Sequence, residues 1–253
     1  MTRRKFLKAS GITLGGLVVY SLLPLSLWLR KTSTGVAEEV VAVDNQRQSH
    51  HWAMLIDITK CIGCRRCLNA CKLENGVPQD PELNRTWLER YEMTDNGDLR
   101  AEFISRTELV PEPATGEKGF YVPKLCNQCA NPPCVSVCPV NATFKTPDGV
   151  ILVDKERCIG CKYCIVACPY GARYLHPETK VVDKCTFCYH RITRGIPPAC
   201  VAVCPTGARA FGDINNPDDP VRLRLEEEAL RVIKPSLGTK PTVYYNGLRE
   251  GVR

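Results

Sequence analysis

The residues of this chain with most chemistry to offer are its 16 cysteines. They form four groups: Cys61-x2-Cys64-x2-Cys67-x3-Cys71, Cys126-x2-Cys129-x4-Cys134-x3-Cys138, Cys158-x2-Cys161-x2-Cys164-x3-Cys168 and Cys185-x2-Cys188-x11-Cys200-x3-Cys204. Pro139, Pro169 and Pro205 follow the last cysteine of the last three groups. Three thiolates on a tight loop and a fourth from elsewhere can hold the corners of a four-iron cage, and in bacterial ferredoxin runs the last cysteine ligates the other cluster of a pair. At four thiolates per cage, the chain has ligands for four 4Fe-4S clusters and no cysteine left over.

Other uses of the thiols fit less well. Disulfide frameworks belong to small secreted domains, and bridges within these closely spaced runs would close short, strained loops. Structural zinc takes two Cys-x2-Cys pairs per ion, which leaves the third cysteine and the x3-Cys-Pro step without a role. Attachment of c-type haem needs Cys-x-x-Cys-His, and the residues after the second cysteines are Arg65, Ala130, Lys162 and Tyr189.

The groups are themselves a repeat. Cys-Ile-Gly-Cys opens the first and third at 61–64 and 158–161, and both close in Ala-Cys. The second and fourth share Cys134-Val-Ser-Val-Cys138-Pro139 and Cys200-Val-Ala-Val-Cys204-Pro205, followed by Ala142 and Ala208. A ferredoxin unit needs two groups, and two arrangements are open. Either group one pairs with two and three with four, or an inner pair, two with three, nests inside an outer pair, one with four.

Short elements must carry these loops. Trp52 to Ile58 reads as a strand feeding the first group, and Gly149 to Val153 as a short strand before Cys158. Residues 72–125 form the longest insertion between groups, with strand patterns at Thr86 to Met93 and Arg100 to Leu109 around Asp95-Asn96-Gly97, a hairpin turn signal. This insertion is the favoured partner-contact surface. Asp219 caps a helix with Pro220 at its first position, running to about Ile233 with Val221, Leu225, Ala229 and Val232 on one side. Ile62, Ile159, Val135, Val137, Val201 and Val203 are placed to shield the cages. His50 and His51 read as surface residues, since cysteine meets every ligand demand.

The domain plan is a signal peptide over residues 1–37, with a retained anchor as the alternative, a linker over 38–51, a core over 52–215 and a C-terminal helix and tail over 216–253. Thr2-Arg3-Arg4-Lys5-Phe6-Leu7-Lys8 matches the twin-arginine export motif, and an apolar stretch from Gly11 to Leu29 follows it. Cleavage after Ala37 fits its small residues. The formal charge of +7 divides along the same line. Six of the 34 basic residues and no acidic ones lie in 1–37, leaving 28 basic against 27 acidic side chains beyond it. A cage with four thiolates adds about −2, so the loaded protein is net acidic and nucleic-acid binding loses its support.

From about Trp52 to Tyr245 the chain resembles the four-cluster electron-transfer subunits of membrane-bound respiratory oxidoreductases. That group includes the iron–sulfur subunits of polysulfide, tetrathionate and dimethyl sulfoxide reductases and the one associated with formate-dependent nitrite reduction. The pieces that carry the resemblance are Cys126-Asn-Gln-Cys-Ala-Asn-Pro-Pro-Cys134, Asp183-Lys-Cys-Thr-Phe-Cys188, Pro197-Pro-Ala-Cys200 and Leu237-Gly-Thr-Lys-Pro241. The chain departs at Lys72, where a proline often follows the fourth cysteine.

The resemblance implies the nested arrangement. Cys61, Cys64 and Cys67 would share a cluster with Cys204; Cys185, Cys188 and Cys200 with Cys71; Cys126, Cys129 and Cys134 with Cys168; Cys158, Cys161 and Cys164 with Cys138. It implies an α+β fold of tandem ferredoxin-like domains, loop-rich and organised by four clusters. It also implies an electron-transfer subunit without its own substrate site, on the periplasmic or other extracytoplasmic face of the membrane. The partners would be a polytopic quinone-reactive membrane subunit and a catalytic subunit, molybdopterin-dependent or a multihaem cytochrome. The competing class is an autonomous iron–sulfur redox enzyme or sensor.

Overall fold

The computed structural model describes residues 49–94, 96–104 and 119–252. The twin-arginine signal, nearly all of the linker, Asp95 of the expected turn and residues 105–109 of the expected strand lie outside the described residues.

One unit recurs four times: a strand enters a cysteine loop, a short helix carries the third ligand, and after the last cysteine another strand leaves. The entering strands are β1 (Trp52–Asp57), β4 (Gly119–Leu125), β6 (Ile151–Val153) and β8 (Val182–Lys184). The leaving strands are β2 (Thr86–Met93), β5 (Thr143–Lys145), β7 (Arg173–Leu175) and β9 (Arg209–Asp213). Each leaving strand pairs antiparallel with the next entering one, and β9 closes the cycle on β1 with Trp52 opposite Asp213. The first and last groups are thereby brought together from opposite ends of the core sequence.

Proline sets the helix lengths. α2 (Pro133–Ser136), α3 (Tyr163–Val166) and α5 (Ala199–Ala202) are single turns that end before Cys-Pro steps, because the residue before proline is pushed out of helical geometry. Lys72 stands where that proline is missing, and α1 (Arg66–Asn75) runs on past Cys71 to a left-handed Gly76 cap. The Lys72 side chain folds back to the carbonyls of Pro78 and Asp80, at 2.9 and 2.5 Å. α4 (Tyr189–Ile192) follows Cys188.

The insertion is a three-stranded antiparallel sheet, β3 (Leu99–Ile104) beside β2 beside β4, with Met93 opposite Leu99 at the expected hairpin. Strand β4 adds to the two strands expected there; its Tyr121, Val122 and Leu125 are buried.

Two expectations for the C-terminal segment need correction. The helix capped by Asp219, α6 (Pro220–Glu227), ends six residues before Ile233, because Arg231 leaves the helical path to bridge Tyr245. Val221 is buried as expected, whereas Ala229 is exposed. The tail also contributes β10 (Val243–Asn246), parallel to β1, with Val243 and Tyr245 fully buried. The strand before Cys158 begins at Ile151, since Gly149 is a turn residue at φ +85°, and Ile58 belongs to a 3-10 turn.

Candidate metal centres

Each group has a left-handed residue directly before its second cysteine: Gly63 (φ 73°), Gln128 (φ 45°), Gly160 (φ 67°) and Phe187 (φ 54°). That conformation turns backbone N–H groups toward the preceding sulfur; Phe187 N lies 3.4 Å from Cys185 Sγ. Glycine is needed where the neighbours close in. A Cβ on Gly63 would stand 2.7 Å from the Tyr121 ring, and one on Gly160 would collide with the Lys180 carbonyl oxygen. Gln128 bears its strained backbone because its buried amide donates to Cys185 O and accepts from Ile151 N, both at 2.8 Å.

The loops collect the thiols across the sequence. Cys61, Cys64, Cys67 and Cys204 line one cavity. Cys71, Cys185, Cys188 and Cys200 line a second. The amide of Asn75, at the end of the extended α1, lies 3.6 Å from Cys71 Sγ and 3.7 Å from Cys188 Sγ.

A third set is gathered around Cys129, whose pKa is pushed up to about 12 by burial and by the charges of Cys126, Cys134 and Cys168, against a Thr239 hydroxyl that favours the thiolate. Thr239 belongs to the Leu237–Pro241 segment. That segment docks through Ala130 N to Lys240 O at 2.8 Å, and Tyr170 OH lies 2.5 Å from Thr239 Oγ1. The fourth set is less enclosed. Cys158 and Cys164 pack with Cys134, Ile151 and Val182, Val182 N points at Cys158 Sγ from 3.5 Å, and α2 lies against α3. Cys138 accepts from Ala142 N and Thr143 N at 3.2 and 3.5 Å.

The sets follow one another in space. Cys67 acts on Cys200, Cys126 on Cys185, and Cys134 and Cys164 share an apolar cluster. Burial dominates the thiol electrostatics, pushing Cys185 to about 12 and Cys61 to about 11. Cys138 and Cys204, at matching places in the repeat, run the other way: burial opposes their charge, but hydrogen bonds from the Cys-Pro turn bring both below the ordinary thiol value.

Shielding of the cages differs from expectation. Val135 and Val201 pack against core residues, whereas Ile62 is 53% and Ile159 64% exposed and Val137 and Val203 are also exposed. Ile62 nonetheless lines the cavity of the first set while half of it meets solvent. His50 stands away from the thiol sets, paired with Asp213 at 2.7 Å and stacked on Trp52.

Several residues at the site are not evident from the sequence: Asn75, Arg85, Gln128, Arg173 and Arg209. Arg173 and Arg209 carry a signal, since Cys168-Pro-Tyr-Gly-Ala-Arg173 and Cys204-Pro-Thr-Gly-Ala-Arg209 place arginine at one offset in the repeat. Asn75 and Arg85 carry none, because the contacts that tie them to the fourth group, Asn75 to Cys188 and Arg85 to Asp183, span about a hundred residues.

Thiols carried on such a repeat of loops define a ferredoxin-type iron–sulfur protein. The 4Fe-4S dicluster domain family matches residues 60–142 and again residues 117–214. The chain is 40% identical to a tetrathionate reductase subunit of Salmonella typhimurium, covering 98% of this chain and 88% of that one. It is 41% identical to a sulfite dehydrogenase subunit of Allochromatium vinosum over 76% of this chain and 81% of that one. It is 37% identical to the menaquinone reductase iron-sulfur cluster-binding subunit of Nitratidesulfovibrio vulgaris over 80% and 91%. The chain belongs to this family of iron–sulfur subunits built from 4Fe-4S dicluster domains. Two dicluster domains carry four clusters, the number for which the 16 cysteines suffice.

Proposed function

We propose that the chain is the electron-transfer subunit of a respiratory oxidoreductase complex, with its four clusters as a chain of one-electron centres. The nested ligand sets form the reading: Cys61, Cys64, Cys67 and Cys204; Cys71, Cys185, Cys188 and Cys200; Cys126, Cys129, Cys134 and Cys168; Cys138, Cys158, Cys161 and Cys164. The observation that carries it is the shared cavity of Cys204 with the first group, matched by that of Cys71 with the fourth.

When bound, 4Fe-4S clusters exchange single electrons at potentials from roughly −700 to +450 mV, set by net charge, hydrogen bonds to sulfur and solvent exposure. The protein's part is to hold thiolates, direct N–H groups at sulfur and limit water. Asn75, Phe187 N, Ala142 N and Thr143 N supply such donors.

Electrons pass between a polytopic quinone-reactive membrane subunit and a catalytic subunit, molybdopterin-dependent or multihaem. The names of the relatives, a tetrathionate reductase, a sulfite dehydrogenase and a menaquinone reductase, support partners of this kind and suggest that the partners set the direction of flow. Arg3-Arg4 and the apolar stretch after them support export by the twin-arginine pathway to the extracytoplasmic face. The two ends of the chain of centres carry exposed apolar side chains, Ile62 near the first set and Ile159, Tyr163 and Val166 near the fourth, which favours partners docking at both ends.

The test is anaerobic affinity purification of the native protein from mild-detergent membranes, with mass spectrometry of what accompanies it. A polytopic membrane protein with a molybdopterin or haem subunit is the expected result. A solitary chain that turns over a substrate would overturn the reading in favour of an autonomous redox enzyme.

A further inference from the structure

Two buried arginines occupy one place in the repeat. Arg173 opens β7 and Arg209 opens β9, each five residues past a Cys-Pro cysteine, and they are 5% and 3% exposed. Arg173 donates from one Nη to Cys134 Sγ at 2.9 Å and from the other to Thr143 Oγ1 at 3.3 Å. Arg209 donates from one Nη to Thr86 Oγ1 at 2.8 Å, its Nε and other Nη meet no oxygen or nitrogen acceptor among the described residues, and the side chain lies against Cys200, whose thiolate it favours. No carboxylate pairs with either guanidinium among the described residues, whereas Arg85, equally buried, has Asp183.

A guanidinium does not lose its proton in a protein, and a buried charge without a counter-charge costs several kcal/mol. Arg209 lines the cavity of Cys61, Cys64, Cys67 and Cys204, and its strand β9 packs on α5, which carries Cys200; Arg173 bonds Cys134 Sγ, and its strand β7 packs on α3, which carries Cys164. Burial opposes the charge of Arg209, and Cys67, Cys200 and Cys61 outweigh it to hold the pKa above the ordinary arginine value. For Arg173 burial is likewise outweighed, by Cys134, Cys126, Cys164 and Cys168. Cys61 and Cys67 belong to the first set and Cys200 to the second; Cys126, Cys134 and Cys168 belong to the third and Cys164 to the fourth. Between the two middle sets lies Lys184, fully buried, its amine on the carbonyls of Ile151 and Cys185.

We propose that Arg209 and Arg173 are shared counter-cations, Arg209 lodged between the first and second clusters and Arg173 between the third and fourth, each raising the reduction potential of both clusters it separates. Each reduction adds one electron to a cluster, supplied by the quinone-linked or catalytic partner, and the fixed cation stabilises the added negative charge without moving a proton. With the clusters bound, sulfur would offer acceptors to the N–H groups of Arg209 left without one. The inference rests on the nested ligand sets, which are tested separately below.

The experiment is a redox titration followed by electron paramagnetic resonance on the anaerobically purified native complex, with iron counted. Cys→Ala variants first assign the signals to clusters, so that a wrong ligand assignment is exposed before any arginine is changed. Arg209→Gln is expected to lower the potentials of the first two clusters by at least tenfold in the reduction equilibrium, 59 mV for a one-electron couple, and to leave the other two in place. Arg173→Gln should do the converse, and Arg→Lys at either site should recover at least half the shift. No shift, a shift common to all four signals, or a lysine variant as far displaced as the glutamine one would overturn the proposal. Should a glutamine variant lose iron, loss confined to the flanked pair supports it and loss from the other pair overturns it.

Discussion

Arg85 holds Asp183 with two parallel hydrogen bonds, Nε to Oδ2 at 3.0 Å and Nη2 to Oδ1 at 2.8 Å. Tyr174 OH adds a third bond to the carboxylate at 2.6 Å, and the remaining arginine nitrogen donates to Asn75 Oδ1 at 2.8 Å. Asn75 reaches Cys71 and Cys188. The pair therefore joins the insertion to the second thiol set.

Arg85→Ala leaves the Asp183 carboxylate buried without its cation, a change that costs about 3–5 kcal/mol. Anaerobic chemical denaturation should show that loss, and iron analysis should show a protein depleted in the second cluster. Burial pushes the Asp183 pKa up, but Arg85 and the Tyr174 hydroxyl prevail and hold it below the usual carboxylate value. A depressed pKa contributes stability that is present above the unfolded value, about 3.9, and lost as pH falls through the folded one. The acid limb of the unfolding curve should accordingly be shallower in Asp183→Asn.

Gly160→Ala and Gly207→Ala separate steric collision from backbone strain. Both residues have positive φ, 67° and 63°, but a Cβ at 160 strikes the Lys180 carbonyl while one at 207 meets open space. Gly207→Ala should cost about 1–2 kcal/mol, the left-handed penalty alone. Gly160→Ala should cost more and lower the iron content. Equal effects in thermal denaturation would show that the collision is relieved without consequence.

Lys72→Pro should cost about 3 kcal/mol, the usual effect of proline inside a helix, and should withdraw Asn75 from Cys71 and Cys188. Asn75→Ala is the milder comparison, removing the amide while leaving α1 intact. Iron content and the spectrum of the second cluster are the readouts. An unchanged second cluster in both variants would mean that the extension of α1 serves packing alone.

Loading should release protons. Burial pushes Cys61 to about 11 and Cys129 and Cys185 to about 12, and a thiol must lose its proton to ligate. Reconstitution with iron and sulfide in weak buffer should acidify the solution and go further at pH 9 than at pH 7. Chelation should unfold the chain, followed by circular dichroism, because metal binding and folding are coupled here.

The sequence is most informative where one residue type carries the chemistry. Cysteine spacing locates the ligand loops, and Cys-Pro steps locate the ends of α2, α3 and α5. The same logic read at Lys72 explains why α1 alone runs on. Pairing is not legible from spacing, since it depends on β9 returning to β1, a contact between opposite ends of the core sequence. Strand β10 is hidden for the same reason: Val243 to Asn246 has little alternation, and burial beside β1 decides its conformation. Apolar spacing after Asp219 continues to Ile233 and so overstates the helix, while a tertiary bridge from Arg231 to Tyr245 ends it. Hydrophobicity alone casts Ile62 and Ile159 as buried shields; Ile62 lines the first cavity, but both stay more than half exposed.

The nested arrangement is most directly tested by removing ligands two at a time in the anaerobically purified native protein. About 16 irons per chain, four for each of four clusters, are expected before any change. Cys61→Ala and Cys204→Ala should then abolish the same paramagnetic signal, and Cys71→Ala and Cys200→Ala another. If Cys204→Ala instead removed the signal lost with Cys158→Ala, the first and last groups would not share a cluster and the nested order would be wrong.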